Sequence, residues 1–384
     1  MRVLHVVGNL DAASGGSTSA AFHTCGYLRL HDVDAQLAGT WSEPGAARYI
    51  TEEWPDLPVH GFRRRTPHHY WHSPALRRWL LASVENFDLV VVNGVFKFPF
   101  LDGARAARRK RVPYVVEPHG SLDPYDLRKH RMTKRAYGPL VVRRLLSHAA
   151  GVFVTTQRER DRLVTFGAEC PVDVVPLAVS PPPAPPDGAK FRRRLGIDER
   201  APVVLFLSRL DPKKGLERLF EATAKLRASQ TDLKLVVVGS ETDRGYEASL
   251  RRRANELGLD GTVVWAGLAV GAERWDAFAA GDVFALPSEN ENFGIVVVEA
   301  LLAGTAVVIS REVYIADALA SAGDVYLCDL DVSSVTTQLE KALAERGKGT
   351  SIDASRRVVE QTFSPEAVTL ATITTYTDVI ARRT

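Results

Sequence analysis

The sequence contains few of the residues that build disulfide frameworks, metal sites and membrane spans. Only three cysteines occur among 384 residues, and Cys25, Cys170 and Cys328 are too widely spaced to form a metal or redox pair. We therefore expect buried thiols in a reducing compartment. No stretch approaches the roughly eighteen uninterrupted apolar residues of a transmembrane helix. No charged leader or signal-type segment precedes the first apolar run, which favours a cytoplasmic location.

The remaining composition is that of a globular chain. It has 45% hydrophobic and 25% charged residues, and its length suits two domains. The net charge of +3 is unevenly distributed: residues 1–180 contain 24 Lys and Arg against 17 Asp and Glu, a net +7, and the remainder contains 25 against 29, a net −4. The first half is therefore expected to face an anionic partner, which phosphorylated substrates, a lipid surface and nucleic acid could each provide.

A proline-rich segment divides the chain. Five of the eight residues at 181–188 are proline, and such a stretch makes an extended connector. On both sides, short Val, Ile and Leu runs alternate with helix-like segments, a pattern typical of parallel sheets covered by helices. We predict two doubly wound α/β domains at 1–183 and 184–362, with a closing helix at 363–384 that packs back on the first. The predicted strands are 3–7, 89–92, 114–117, 151–155, 203–208, 233–239, 262–266, 283–286 and 306–309.

The segment 286–309 has the pattern of a strand, a polar loop and a helix that begins near Phe293 and ends at Gly304. The free amides and positive dipole end of such a helix attract a diphosphate without a metal ion. Glu291 lies in the loop and Glu299 inside the helix. The alternative interpretation is a surface loop with two solvated glutamates. The candidate residues of this segment are Glu291, Asn292, Phe293, Gly294, Ile295, Val296 and Glu299.

Two other segments place polar residues after predicted strands, at the sheet edge where ligands bind in open parallel sheets. Arg209 and Lys214 follow the strand at 203–208 and could neutralise two phosphates. The alternative for them is a capped, solvated turn. His119 follows the strand at 114–117, where a near-neutral imidazole can hydrogen-bond a hydroxyl or transfer a proton. The alternative for His119 is a purely local hydrogen bond.

A pair of glycines, Gly15 and Gly16, follows the first strand in the phosphate-loop position of a Rossmann unit. Their spacing is not G-x-G-x-x-G, so a dinucleotide oxidoreductase is poorly supported. The Asp-x-Asp runs at 32–34 and 329–331 fall at helix-strand connections, where aspartates commonly cap or turn. We expect no metal role for either run, and no His or Cys cluster has metal-ligand spacing.

These segments together resemble the retaining family-four glycosyltransferases, which have the two-domain GT-B fold. The run ENFGIVVVEALLAG is similar to the Glu-x7-Glu signature of that family, although Asn292 stands where a glycine is common. The run SRLDPKKG is similar to the family's Arg-Leu-x-x-x-Lys-Gly motif, and EPHGSLDPY is similar to a His-Gly segment of bacterial polysaccharide members. The glycine loop, proline linker and closing helix also follow the family's order, so the resemblance covers nearly the whole chain.

The resemblance implies two Rossmann-like domains that face each other across a cleft, with the acceptor mostly on the first and the nucleotide sugar mostly on the second. It implies that Glu299 binds the donor ribose and that Glu291 holds the donor sugar. Arg209 and Lys214 then stand in for a divalent metal beside the diphosphate.

The same resemblance assigns roles to residues of the first half. It implies that His119 contacts the donor sugar and that Gly15 and Gly16 lie near the donor phosphate and the acceptor. Asp123 is a weaker candidate on the acceptor side.

The expected activity is retaining transfer of a hexose from a UDP-sugar or GDP-mannose to a glycan or lipid-linked acceptor, with no metal or other cofactor. Cell-envelope or exopolysaccharide synthesis is the expected pathway. One alternative is a nucleotide-sugar epimerase or phosphorylase on the same fold. A second alternative is a noncatalytic protein that binds nucleotide sugars.

Basic and aromatic residues of the first half suit an anionic membrane interface. A polyprenyl-linked acceptor and peripheral contact with the inner face of the plasma membrane are therefore expected, and solvated helix faces are the alternative. Nucleic acid is not an expected partner, because no nucleic-acid-binding motif accompanies the charge. The residues concerned are the basic runs 63–65, 108–111 and 128–135 and the aromatic residues Phe62, Tyr70, Trp71 and Trp79.

Overall fold

The chain divides into two compact units. The computed structural model describes residues 1–11, 16–66, 70–122, 141–166, 170–241, 243–346 and 352–382. Unit 1 comprises Met1–Ala178 with Pro365–Thr384, and unit 2 comprises Val179–Ser364. These boundaries lie a few residues from the predicted ones, and the proline-rich segment belongs to unit 2. Near the two ends of that unit, the Val179 amide donates to the Phe363 carbonyl at 2.8 Å.

Unit 1 contains a parallel sheet. Its described strands are ordered β3-β2-β1-β4-β5-β6-β7, so the direction of winding reverses between β1 and β4. The strands are β1 (Arg2–Asn9), β2 (Asp34–Trp41), β3 (Val59–Arg63), β4 (Leu89–Val92), β5 (Tyr114–Val116), β6 (Gly151–Val154) and β7 (Val172–Val174). The helices between them are α1 (Gly16–Leu30), α2 (Arg48–Glu53), α3 (Pro74–Ser83), α4 (Phe98–Lys110), α5 (Arg143–Leu146) and α6 (Gln157–Phe166).

Unit 2 contains a second parallel sheet. Its described strands are ordered β10-β9-β8-β11-β12-β13, and the winding reverses between β8 and β11. The strands are β8 (Val203–Leu207), β9 (Lys234–Val238), β10 (Val263–Gly267), β11 (Val283–Leu286), β12 (Ala306–Ser310) and β13 (Val325–Cys328). The helices are α7 (Gly188–Arg194), α8 (Leu216–Arg227), α9 (Tyr246–Glu256), α10 (Ala272–Ala280), α11 (Ile295–Leu302), α12 (Val332–Ala344) and α13 (Ile352–Phe363).

The nine predicted strands are confirmed, and most of them are apolar runs buried between the layers, although β10 at the sheet edge is only half-buried. The four residues of β4, for example, are all buried, as expected for a parallel strand between two helical layers. The sequence did not predict β2, β3, β7 or β13. These strands lie toward the sheet edges and contain polar or half-exposed positions that interrupt an apolar run.

The closing helix, α14 (Pro365–Ala381), belongs to unit 1. Its Tyr376 side chain is fully buried, and the ring stacks on Phe153 with the centroids 5.6 Å apart. The hydroxyl lies 3.2 Å from Nε2 of His5, in the middle of β1. The last helix therefore supplies a core residue to the sheet formed by the first half of the chain. Among the helices that the structure describes, none has the length and apolarity to cross a bilayer.

Candidate active site

The Arg209–Lys214 turn and the Glu291 loop leave neighbouring strands at the point of reversal in unit 2. The turn follows β8 and the loop follows β11, and these strands pair in parallel at their beginnings, Val204 with Val283 and Leu205 with Phe284. Because both connections leave the carboxyl edge at the switch point, this is the position where an open α/β sheet binds ligands.

Backbone contacts fix the turn against the loop. Asp211 caps the turn by accepting from the Lys213 amide at 3.0 Å, and the Lys213 carbonyl accepts from the Glu289 amide at 2.7 Å. Gly215 has a φ of 73°, and a Cβ there would lie 2.2 Å from the Pro287 carbonyl oxygen. The glycine after the lysine is therefore needed for the close approach of the two segments.

Lys214 and Glu291 form a buried ion pair between the amine Nζ and the carboxylate Oε2. Their side chains are 6% and 19% exposed. Burial lowers the pKa of Lys214, and the charge of Glu291 opposes that shift. Arg209, at the start of the same turn, is exposed and makes no ion pair with the described residues. An exposed cation, Arg209, thus lies close enough to affect Lys214, which Glu291 already holds.

The backbone of Glu291 is held on both sides by the segment after β12. Its amide donates to the Glu312 carbonyl at 3.1 Å, and its carbonyl accepts from the Tyr314 amide at 3.0 Å. The side chain of the preceding residue, Asn290, donates to the Tyr314 hydroxyl at 2.9 Å. The loop that carries Glu291 is therefore positioned by backbone pairing, which the spacing of the sequence did not reveal.

The helix after the loop begins at Ile295, with Gly294 as its N-terminal cap at a φ of 83°. This start lies two residues later than the predicted one at Phe293. The Phe293 ring is buried against Phe363, so its side chain belongs to the core. Asn292, Ile295 and Val296 are half-buried around the helix start.

Glu299 lies in the second turn of α11 and is 3% exposed. Its Oε1 accepts from the terminal nitrogen Nη2 of Arg274 at 2.7 Å. Its Oε2 is buried and has no hydrogen-bond partner among the described residues, and the same holds for Nε of Arg274. Burial raises the pKa of Glu299, and the Arg274 charge opposes that shift. An unsatisfied buried acceptor costs about 1–3 kcal/mol, so a ligand hydroxyl at Oε2 would recover that energy.

His119 of unit 1 has a strained backbone, with a φ of 48° that side chains rarely adopt. The next residue, Gly120, donates its amide to the Glu159 carboxylate at 2.7 Å. Glu159 also accepts from the Thr155 amide at 2.9 Å, so one buried carboxylate joins the turn after β5 to the end of β6. Glu159 thus stabilises the turn that presents His119.

A polar network surrounds the His119 ring. Its Nε2 lies 3.3 Å from Oδ1 of Asn93 and 3.4 Å from the Glu117 carboxylate. Nδ2 of Asn93 lies 3.4 Å from Nδ1 of His5, which is fully buried. An amide nitrogen only donates, so in this arrangement Nδ1 of His5 accepts and Nε2 donates to Tyr376. Burial lowers the pKa of His5 to about 4.

Glu117 is the acidic member of this network. Burial opposes its ionisation, but the hydrogen bond and charge of His119 outweigh that effect and lower its pKa. A small cavity borders these groups and is lined in part by Thr24, Glu117, His119, Thr155 and Thr372. The network therefore holds the imidazole by Nε2 at the edge of a polar cavity.

The other candidate residues have simpler surroundings. Gly16 is exposed at the start of α1, and Gly15 and Asp123 lie outside the described residues. Asp34 pairs with Arg2 and Arg29, and Asp331 caps α12 by accepting from the Ser334 amide at 2.8 Å. Within the described ranges, no cluster of three His, Cys, Asp or Glu side chains could hold a metal ion.

Sequence reasoning missed several residues that complete these arrangements. Arg274, Asn93, His5 and Tyr376 lie far in sequence from the groups that they contact. Glu117 adjoins the His-Gly segment, and its position two residues before His119 was the only local signal available.

Two family models match the chain. Residues 15–178 match "Glycosyl transferase 4-like domain" and residues 187–358 match "Glycosyl transferases group 1". A 2-deoxystreptamine glucosyltransferase of Streptomyces kanamyceticus is 34% identical over 54% of this chain and 55% of its own length. A D-inositol 3-phosphate glycosyltransferase of Stackebrandtia nassauensis is 32% identical over 53% of this chain and 48% of its own. The alignments thus span about half the length of these relatives.

Solved structures with low sequence identity share the fold over nearly the whole chain. The Anabaena protein HepE, in complex with UDP and glucose, has a TM-score of 0.81 at 21% identity and covers 98% of this chain and 100% of its own. A sucrose-phosphate synthase of Thermosynechococcus elongatus has a TM-score of 0.76 at 18% identity, with 100% of both chains covered. The two parallel-sheet units have the GT-B fold.

Proposed function

Because the chain belongs to the glycosyltransferases that combine a 4-like domain with a group 1 domain, we propose that it is a retaining, metal-independent hexosyltransferase. Its donor is a UDP-sugar or GDP-mannose. The observation that carries this proposal is the grouping of two cations, a helix start and a buried carboxylate along the switch-point edge of unit 2. That combination suits a nucleoside diphosphate, which needs positive charge for its phosphates and hydrogen-bond acceptors for its ribose.

The proposed roles follow from the surroundings of each group. Arg209, Lys214 and the free amides at Gly294 and Ile295 stabilise the negative charge that develops on the departing diphosphate. Such preorganised stabilisation of developing charge is often the largest contribution to catalysis. Glu299 accepts hydrogen bonds from the ribose through its unused Oε2.

The sugar-side groups are Glu291 and His119. Lys214 fixes the Glu291 carboxylate near the phosphates, from where it accepts from a donor-sugar hydroxyl and supports positive charge at the anomeric carbon. His119, held through Nε2 by Asn93 and Glu117, has Nδ1 available for a sugar hydroxyl.

We assign the retention of anomeric configuration to front-face attack by the acceptor. The bond between the anomeric carbon and the phosphate oxygen breaks, the acceptor oxygen bonds to the same face, and its proton passes to the departing phosphate. Glu291 is engaged in an ion pair, which makes it a poor nucleophile. A trapped glycosyl-enzyme adduct would contradict this route.

The decisive measurement is calorimetric titration of the protein with UDP and GDP in excess EDTA. We expect one nucleotide to bind the wild type, and Glu299→Ala to weaken that binding at least about tenfold through loss of the ribose contact. Glu221→Ala is the control. Glu221 also pairs with an arginine of unit 2, Arg253, at 2.9 Å, but it lies on α8 and is not one of the proposed donor-site residues. Failure of both nucleotides to bind, or binding only with Mg²⁺, refutes the proposal.

We further propose a membrane-linked glycan acceptor, a polyprenyl-linked one in particular, in cell-envelope or exopolysaccharide synthesis. The names of the relatives include an aminocyclitol, an inositol phosphate and, in the alpha-monoglucosyldiacylglycerol synthase of Streptococcus pneumoniae, a lipid. Product analysis therefore compares lipid-linked and soluble cyclitol acceptors, with binding to anionic vesicles measured at low salt.

The same product analysis tests the alternative functions. Sugar release or isomerisation without an acceptor would instead indicate a phosphorylase or an epimerase. Binding of the donor without any turnover would indicate a noncatalytic protein.

A further inference from the structure

The ion pair between Arg274 and Glu299 has one hydrogen bond where two are possible. An arginine and a carboxylate can form two parallel hydrogen bonds. Here Nη2 of Arg274 reaches Oε1 of Glu299 at 2.7 Å, and the second donor and the second acceptor, Nε and Oε2, are both buried and unpartnered among the described residues.

This incomplete pairing is unusual for its environment. Most buried polar atoms in folded proteins have a partner, and the Glu299 side chain is only 4% exposed. The two residues come from different helices, α10 and α11, which pack against each other. The packing therefore leaves one donor and one acceptor of the same ion pair without a partner among the described residues, a combination suited to a ligand that donates one hydrogen bond and accepts another.

We propose that Arg274 is a second ribose-recognising residue of the donor site. This inference rests on the proposed function and adds a residue to it. A vicinal diol matches the two free atoms, because each hydroxyl both donates and accepts. One ribose hydroxyl donates to Oε2 of Glu299, and the oxygen of the other accepts from Nε of Arg274. The two side chains then hydrogen-bond both hydroxyls of the diol, and loss of either hydroxyl leaves one buried atom without a partner.

The test is calorimetric titration with UDP, 2′-deoxy-UDP and 3′-deoxy-UDP, or with the guanosine series if GDP is the nucleotide that binds. We expect the wild type to bind the ribonucleotide at least about tenfold more tightly than either deoxynucleotide. Arg274→Leu should weaken UDP binding about tenfold but leave nearly unchanged the one deoxynucleotide that lacks the hydroxyl bound by Arg274, so that the preference over that deoxynucleotide falls below about threefold. The preference over the other deoxynucleotide, which lacks the hydroxyl bound by Glu299, should persist.

Two further variants separate a direct contact from a charge effect or a general loss of structure. Arg274→Lys retains the charge but lacks the Nε donor, so the preference over the deoxynucleotide that lacks the Arg274-bound hydroxyl should remain lost. Arg253→Leu is the matched control, because Arg253 pairs with Glu221 at 2.9 Å and is 41% exposed, against 39% for Arg274. It should retain the wild-type preference.

Several results would overturn the inference. An equal loss of affinity for all three nucleotides in Arg274→Leu would show a structural or electrostatic role, and recovery of the preference in Arg274→Lys would show that charge suffices. A wild type that binds the three nucleotides equally would show that the diol is not read at all. These outcomes differ from failure of the proposed function, in which the wild type binds no nucleotide.

Discussion

His5 shows how a single buried side chain makes stability depend on pH. Its ring is fully buried on β1 between Asn93 and Tyr376, and burial lowers its pKa from 6.5 to about 4. Between these values the unfolded chain binds a proton that the native state does not. The free energy of unfolding therefore falls as the pH is lowered through this window.

We expect His5 to account for about 2 kcal/mol of the stability lost between pH 7 and pH 5. Urea unfolding at pH 7, 6 and 5 should show a shallower pH dependence for His5→Gln than for the wild type. Glu117 also has a lowered pKa, but its contribution to the unfolding free energy changes only below its ordinary pKa of 4.5, which is outside this pH range. His148→Gln, at an exposed position of the same unit, is the control and should follow the wild type. Parallel curves for His5→Gln and the wild type would contradict the assignment.

The start of α11 illustrates how one element depends on a special backbone conformation. Gly294 adopts a φ of 83°, and a Cβ there would lie 3.1 Å from Cγ1 of Val313. An L-residue with a side chain pays roughly 1–2 kcal/mol for this backbone conformation. The same change would also displace the amides proposed to face the diphosphate.

Gly294→Ala is therefore expected to lose about 1–2 kcal/mol of unfolding free energy and about tenfold in nucleotide affinity. Gly258→Ala is the matched control, because Gly258 has a φ of 67° and open space around it. It should lose similar stability without a change in affinity, as measured by denaturant unfolding and calorimetry. If the two variants lose affinity equally, the effect of Gly294 is not local to the helix start.

Because α14 belongs to unit 1, the loss of a buried ring from α14 should destabilise unit 1 more than unit 2. Tyr376→Ala removes a fully buried ring from the core of unit 1, which should cost about 3–5 kcal/mol. Phe278→Ala removes a fully buried ring from unit 2 and is the reciprocal variant. Hydrogen exchange should accelerate in β1 and β6 for the first variant and in β8 and β11 for the second. Uniform acceleration in both units by either variant would show that they open as one cooperative body.

The amino-acid sequence alone was enough to predict the elements whose signals are local. The apolar runs predicted nine strands, because a buried parallel strand excludes polar residues from both faces. The spacing from Glu291 to Glu299 placed one carboxylate in a loop and the other in the following helix. The positions of Arg209 and His119 within two residues of apolar runs placed them at strand ends, and Lys214 was placed in the turn that follows the same strand as Arg209.

Contacts between residues that are distant in the sequence became visible only in the folded chain. Arg274 and Glu299 are brought together by the packing of two helices, and Tyr376 reaches His5 across most of the chain length. The four strands that the sequence did not predict, β2, β3, β7 and β13, and the helix start at Ile295 also depend on neighbouring segments. A sequence pattern reports how one segment is buried, but contacts between distant segments depend on the crossovers and side-chain packing that form only when the sheet is assembled.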